Sequence, residues 1–194
     1  TYGQGVFRID PDNLSYRLFS DQNGLRDNNV ISIAARDSLI WFSTLGGGIT
    51  CFNTLNEQFT NYKEPELVSS YIYETATDKS GRTWIAGSTK SPMYLYKDSL
   101  YRINYSGQQI QQFYSVAIDT LGNAWFNAGE KGLLKIDGDS ATFFDRNDDL
   151  FTDRIQAVEF DEKNNLLIVS NSGLLFYRPG TGIILEFGED SWLS

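Results

Sequence analysis

The stretch DKSGRTW, residues 78–84, decides the fold, because related stretches follow it at nearly equal spacing. They are DTLGNAW at residues 119–125 and DEKNNLL at residues 161–167. Such a stretch is typical of a hairpin turn in which the aspartate caps backbone N–H groups and the glycine takes a positive φ. Trp41 is an earlier copy of this tryptophan, and a shorter turn precedes it. Trp41, Trp84 and Trp125 follow one another at intervals of 43 and 41 residues. The chain is therefore an internal repeat of roughly 42 residues.

Three further segments recur in step with these turns. One begins at a glycine, and its copies start at Gly5, Gly48, Gly132 and Gly173, with a glycine-free copy at residues 93–96. The segment that closes each repeat occupies residues 16–19, 58–62, 100–103, 141–144 and 184–187. The segment that opens it occupies residues 30–33, 71–74, 114–118 and 155–160. All are short and rich in β-branched or aromatic residues, as strands are.

Four short strands in each repeat predict an all-β fold, a β-propeller of about four and a half four-stranded antiparallel blades. We expect a fragment of a larger propeller, either seven-bladed or double. The predicted parts are a half blade with its linking loop at residues 1–29, and blades at residues 30–69, 70–112, 113–153 and 154–194. The residues assigned to the structural repeat are Trp41, Trp84, Trp125, Gly48, Gly132 and Gly173. Because a blade cannot bury both faces alone, the tryptophans are expected to pack between blades.

Composition excludes several classes of function. The chain has 194 residues and a net charge of −9, which disfavours binding to nucleic acid. It contains no histidine, so histidine-dependent catalysis and histidine metal sites are excluded within it, and no catalytic residue or cofactor is predicted. No apolar run is long enough to span a membrane, and no membrane contact is expected. The single cysteine, Cys51, lies in an apolar run and is predicted to be buried.

One loop carries acidic and amide side chains at alternating positions, as a calcium loop does: Asp145, Asn147, Asp149 and Asp153. Leu150 stands where that loop needs glycine, and Gln156 where it needs a bidentate glutamate. We therefore interpret the segment as a solvated loop and predict no metal site.

The sequences NGLRDNNVISI, residues 23–33, and IWFSTLGGGI, residues 40–49, together resemble the two-component regulator propeller repeat. The resemblance extends over essentially the whole chain, and it weakens around Leu167 and after Gly87. It implies a periplasmic sensor region of a hybrid histidine kinase of the Bacteroidetes type, with the kinase domains elsewhere. It also implies a ligand derived from a glycan. Similar repeats occur in secretion-system components and in some lyases.

In propellers of this kind, ligands meet the loops at one face of the disc. The residues on such loops here, and our candidates for ligand binding, are Arg26, Asn28, Asn29, Tyr71, Glu130, Lys131 and Arg154. A tyrosine beside planar polar groups suits an oligosaccharide, although each residue taken singly also fits an ordinary solvated loop.

The predicted function is an extracytoplasmic ligand-sensing module that is not itself an enzyme. Two alternatives stay open: a non-catalytic scaffold in a secretion or surface complex, and a fragment of a propeller lyase or glycan hydrolase. Blade faces left uncovered at the ends favour association, so we also expect a homodimer through propeller or open blade faces.

Overall fold

The computed structural model describes residues 3–63, 67, 69–105, 107, 109–145, 148 and 154–188. Over these residues the regular structure consists of strands and a single 3₁₀ turn at Gly129–Lys131. The chain divides into two compact units, residues 1–75 and 76–194. The border between them falls within the strand Ile72–Thr77.

The first unit holds a two-stranded ribbon and a four-stranded sheet. The ribbon pairs β1 (Val6–Ile9) with β2 (Tyr16–Phe19). The sheet has the order β3 (Val30–Arg36), β4 (Leu39–Thr44), β5 (Ile49–Asn53) and β6 (Gln58–Tyr62), all antiparallel. Their common core is a group of aromatic side chains in which Phe52 lies 4.9 Å from Phe19 and 4.7 Å from Phe59, measured between ring centroids.

Three more four-stranded sheets follow. The first is ordered β10 (Ser99–Arg102), β9 (Met93–Tyr96), β8 (Thr83–Gly87), β7 (Ile72–Thr77). The second runs β11 (Ser115–Ile118), β12 (Ala124–Asn127), β13 (Leu133–Asp137), β14 (Ser140–Phe144). The third runs β15 (Ile155–Phe160), β16 (Leu166–Ser170), β17 (Gly173–Arg178), β18 (Gly182–Gly188). Four blades and a half blade confirm the fold class predicted from the repeat.

Tryptophan side chains join neighbouring sheets in the second unit. The Trp84 ring, on β8, lies 5.9 Å from the ring of Phe126, on β12. In the next sheet, Trp125 lies 6.0 Å from Phe160 and 6.2 Å from Tyr177. Both indoles are 1% exposed. Each tryptophan thus packs between its own sheet and the next sheet, and this contact removes the facing surfaces of both sheets from water.

The turn aspartates hold these tryptophans in place. Asp119 accepts hydrogen bonds from the backbone N–H groups of Leu121 and Asn123 through Oδ1, and from the Trp125 indole through Oδ2 at 3.2 Å. Asp78 does the same for Trp84, at 3.0 Å. The capping of the backbone follows from the sequence, whereas the indole bond had not been predicted. One carboxylate therefore fixes both the turn and the ring that packs on the next blade.

The two remaining copies of the turn lack this bond. At residues 161–167 a leucine replaces tryptophan, and Asp161 keeps the bond from the Asn165 amide, at 2.7 Å, that Asp119 also receives from Asn123. In the first unit the turn is shorter, and the buried Trp41 Nε1 has no hydrogen-bond partner among the residues that the structure describes. The bond thus depends on a turn long enough to bring an aspartate beneath the indole.

Lowering the pH is expected to destabilise the fold through Asp78. Burial by itself would raise the pKa of this carboxyl, but hydrogen bonds from Trp84 and Arg82, with the Arg82 charge, lower the pKa below 3.8 overall. The folded state therefore takes up this proton less readily than the unfolded chain. The contribution is present well above pH 3.8 and is lost as the pH falls through the folded pKa.

Urea unfolding at a series of pH values between 7 and 3 measures this effect, with circular dichroism as the readout. As the pH falls below the ordinary pKa of an aspartate, the free energy of unfolding should decline more steeply in the wild type than in Asp78→Asn. Equal pH profiles for the two proteins would contradict this role of the carboxylate.

Candidate functional site

The two ends of the blades differ in character. In the second unit, the aspartate turns lie at one end, between the first and second strands of each sheet. They contact one another there: Lys79 donates to the Thr120 carbonyl at 3.1 Å, and the Thr120 N–H donates to Asn164 Oδ1 at 2.7 Å. Because neighbouring strands are antiparallel, the loops after the second and fourth strands lie at the opposite end. A binding site at that end leaves the tight turns undisturbed.

A cavity of about 330 Å³ opens among these opposite loops. Its lining comes from the loop before β11, the 3₁₀ turn after β12 and the residue before β15. Its charged and amide side chains are those of Gln109, Gln111, Gln112, Glu130, Lys131 and Arg154. The volume lies at the lower end of the range for small-molecule sites, which suits a compact polar ligand.

Tyr114 forms the firm wall of this cavity. Its hydroxyl accepts a hydrogen bond from Gln112 Nε2, and the Arg154 guanidinium carbon lies 5.7 Å from its ring centroid. Gly129 has a φ of +64°, and a Cβ built there would come 2.7 Å from the Tyr114 ring. Glycine therefore lets the 3₁₀ turn approach the ring closely. An aromatic side chain fixed in this way is a rigid contact surface for a ligand in the cavity.

Two buried polar side chains lie next to the cavity wall. Ser115 follows Tyr114 and pairs across the strands with Asn127, which precedes Ala128 of the lining. Paired side chains on neighbouring strands share one face of the sheet. Ser115 is 6% and Asn127 0% exposed, and neither Ser115 Oγ nor Asn127 Nδ2 finds a hydrogen-bond partner within the described part of the chain. Because both atoms are sealed from solvent and neither residue lines the cavity, they are not groups that a ligand in the cavity can reach.

A second cavity, of about 310 Å³, adjoins the first. Its lining includes Tyr114 and Arg154 again, together with Gln156 and Asn171. The last two side chains are joined by a hydrogen bond of 2.6 Å from Gln156 Nε2 to Asn171 Oδ1. The two cavities thus share one wall, and all their polar groups are hydroxyl, amide or charged donors and acceptors.

Three of the seven predicted site residues come together. Glu130, Lys131 and Arg154 line the first cavity, and all three are exposed. They carry one negative and two positive charges, in a chain whose net charge is −9. This cluster is therefore locally more positive than the protein as a whole, and it offers both acceptors and charged donors to a ligand.

The other four predicted residues belong to the first unit. Leu45 links two of them, because its N–H donates to the Asn29 carbonyl at 3.1 Å and its backbone forms an isolated β-bridge with Tyr71. Asn28 Oδ1 accepts from the Asp21 N–H at 2.8 Å, and Asn29 Nδ2 donates to Asp27 Oδ1 at 3.0 Å. Both side-chain amides therefore stabilise the loop in which they lie.

The Arg26 N–H donates to Thr50 Oγ1 at 3.2 Å, and its side chain is exposed. The exposed side chains of Arg26 and Tyr71 are the groups that this part of the first unit offers to a ligand.

Sequence reasoning missed Tyr114, Gln112 and the amides of the second cavity as site residues. A signal for the tyrosine was present in the repeat, because Tyr73 and Tyr114 each stand five residues before a turn aspartate, Asp78 and Asp119 respectively. For Gln156 and Asn171 no such signal exists, since Gln156 lies on β15 and Asn171 in the turn after β16, and the two meet only through the pairing of these strands.

Metal binding finds no support among the residues that the structure covers, which contain no group of three or more acidic, cysteine or histidine side chains able to hold an ion. Three residues of the calcium-like pattern, Asn147, Asp149 and Asp153, lie outside the described residues. Cys51 is buried in β5.

The chain is similar to proteins of two-component systems. No family model matches it. Histidine kinase P4 of Formosa agariphila is 23% identical to it over 205 residues, which is 98% of this chain and 14% of the kinase. The extracellular domain of a hybrid two-component system from B. thetaiotaomicron has a TM-score of 0.73 at 15% identity, over 96% of this chain and 30% of that one. The predicted similarity to the sensor regions of such systems is thereby confirmed.

Virginiamycin B lyase from Staphylococcus aureus shares the fold as well, with a TM-score of 0.75 at 13% identity over 94% of this chain and 62% of the lyase. The chain thus spans less than a third of the kinase and of the extracellular domain. At such identities the likeness establishes a propeller fold. Within the described ranges, no helix is long and apolar enough to cross a membrane. An extracytoplasmic location, as expected from the sequence, is consistent with these neighbours.

Proposed function

We propose that this chain is the extracytoplasmic ligand-sensing module of a two-component system, and that it binds a glycan-derived oligosaccharide in the cavity beside Tyr114. The observation that carries the proposal is the cavity itself, with its fixed aromatic wall and its amide and charged side chains. Sugars are bound by stacking on aromatic rings and by hydrogen bonds to planar polar groups. The similarity of 98% of the chain to part of a histidine kinase supports the sensing role.

Signal output then belongs to other domains of the parent protein. The chain contains no histidine, and hence no phospho-accepting histidine of its own. The binding site joins two sheets, because it draws on the loops before β11 and before β15. A ligand that contacts both loops favours one relative arrangement of the two blades, and this bias is the signal available to a partner domain.

Catalysis by this segment is the less favoured alternative. A histidine-to-alanine variant of virginiamycin B lyase is catalytically inactive, and the present chain has no histidine to provide such a group. No specific feature of the described residues favours the scaffold function over sensing.

Isothermal titration of the purified chain with oligosaccharides tests the proposal. The probes are monomers, dimers and trimers prepared from xylan, from polygalacturonate and from chondroitin. We expect at least one series to bind, and Lys131→Ala to weaken that binding about tenfold, because a charged hydrogen bond to the ligand is lost.

Lys163→Ala is the matched control. This lysine is also exposed, but it lies in the aspartate turn at the opposite end of its sheet. It should leave affinity unchanged. Absence of binding by every probe, or equal effects of the two lysine variants, would contradict the proposal.

A further inference from the structure

Arg154 and Tyr114 lie between two neighbouring cavities and contribute to the lining of both. Both residues line the cavity of about 330 Å³ and the cavity of about 310 Å³. The other lining residues of the two cavities differ. On one side are Glu130 and Lys131, and on the other are Gln156 and Asn171. The shared pair is thus a partition with a polar compartment on either side.

The partition is held from several directions. The ring of Tyr114 is fixed by the Gln112 amide and by the close approach of Gly129, and Arg154 lies over it at 5.7 Å. A guanidinium carries five N–H donors at its edges, all in one plane, and these can serve ligand oxygens in both compartments. Arg154 can in this way bind groups in both compartments at once.

The two compartments also match one another in size. Each is close to the lower limit of small-molecule sites, so each suits a single polar unit rather than a long one. The second compartment has neutral amide partners, aligned by the bond between Gln156 and Asn171. Two similar polar compartments in series are the arrangement that a chain of similar polar units would occupy.

We propose that the two cavities are successive subsites of one cleft, and that the ligand is an oligosaccharide of at least two sugar units whose linkage passes over the Arg154–Tyr114 pair. This inference rests on the proposed function and adds the length of the ligand and its path. The second unit of the ligand binds with the first already in place, so that its contacts add affinity at a high effective concentration.

The experiment compares the monomer, dimer and trimer of whichever series binds, by isothermal titration against the wild-type chain. The dimer is expected to bind at least tenfold more tightly than the monomer. Gln156→Ala should remove most of this gain, so that the ratio of dimer affinity to monomer affinity falls towards one. The control is Glu159→Ala, at an exposed position on the same strand that lines neither cavity.

The outcomes separate the two proposals. A monomer that binds as tightly as its dimer and trimer would overturn the two-subsite cleft and leave oligosaccharide or sugar sensing in place. A dimer affinity that Gln156→Ala and Glu159→Ala reduce equally would also overturn it. Failure of every monomer, dimer and trimer to bind would instead overturn the proposed function.

Discussion

Replacing Asp119 with alanine is expected to lower the free energy of unfolding by about 3 kcal/mol. The substitution leaves the buried Trp125 indole N–H and the backbone N–H of Asn123 without their acceptor. Asn123, which is 6% exposed, also loses the partner of its side-chain amide. A buried donor that has lost its acceptor costs roughly 1 to 3 kcal/mol, and two or three such donors are affected together. Urea denaturation followed by circular dichroism measures the change.

Asp161→Ala provides the matched control. Its carboxylate caps the same kind of turn, but Leu167 stands where the other copies have tryptophan, so no indole bond is lost. We expect this variant to be clearly less destabilised than Asp119→Ala. If both variants unfolded at the same urea concentration, the indole bond would contribute nothing and the turn cap alone would explain the aspartates.

Replacing Gly132 with alanine is expected to destabilise the chain by about 4 kcal/mol, or to prevent folding. A Cβ at this position would lie 2.1 Å from the Phe144 carbonyl oxygen, and the residue has a φ of +125°. The obstacle is backbone of the neighbouring strand, which cannot move aside without breaking the pairing of β13 with β14. Soluble yield and the midpoint of thermal unfolding report the effect.

Gly138→Ala separates the two causes. Gly138 also has a positive φ, +58°, but a Cβ there would meet no atom within 4 Å. Its replacement should cost about 1 kcal/mol, the strain of the backbone conformation alone. Similar losses for both glycine variants would show that the close approach to the Phe144 carbonyl is unimportant.

The recurring glycines are found in the sequence by their spacing, but the spacing does not explain why glycine is required at these positions. Gly5, Gly48 and Gly173 share the geometry of Gly132, because a Cβ at each would lie 1.9 to 2.2 Å from a carbonyl oxygen of the adjacent strand. The spacing of these residues predicted a structural role. The close contact that requires glycine arises only when the third and fourth strands of a blade are paired.

The expectation of a homodimer stays a prediction. In the first unit, Ile9 and Tyr16 of the ribbon are 60% and 70% exposed, which is the kind of apolar surface that favours association. Sedimentation velocity at several protein concentrations would test it. The predicted blade boundaries likewise stay predictions.

The sequence by itself determined the class of fold, the number of blades and half blades, and the position of the tight turns, because these follow from periodicity and from local backbone preferences. Only the tertiary structure decided that the turn aspartates bind the indoles and that Tyr114, Arg154, Gln156 and Asn171 border a common pair of cavities. The four residues of the cavities come from three separate segments of the chain, at positions 114, 154–156 and 171. Their proximity depends on how one sheet packs against the next, and no local preference encodes that distance.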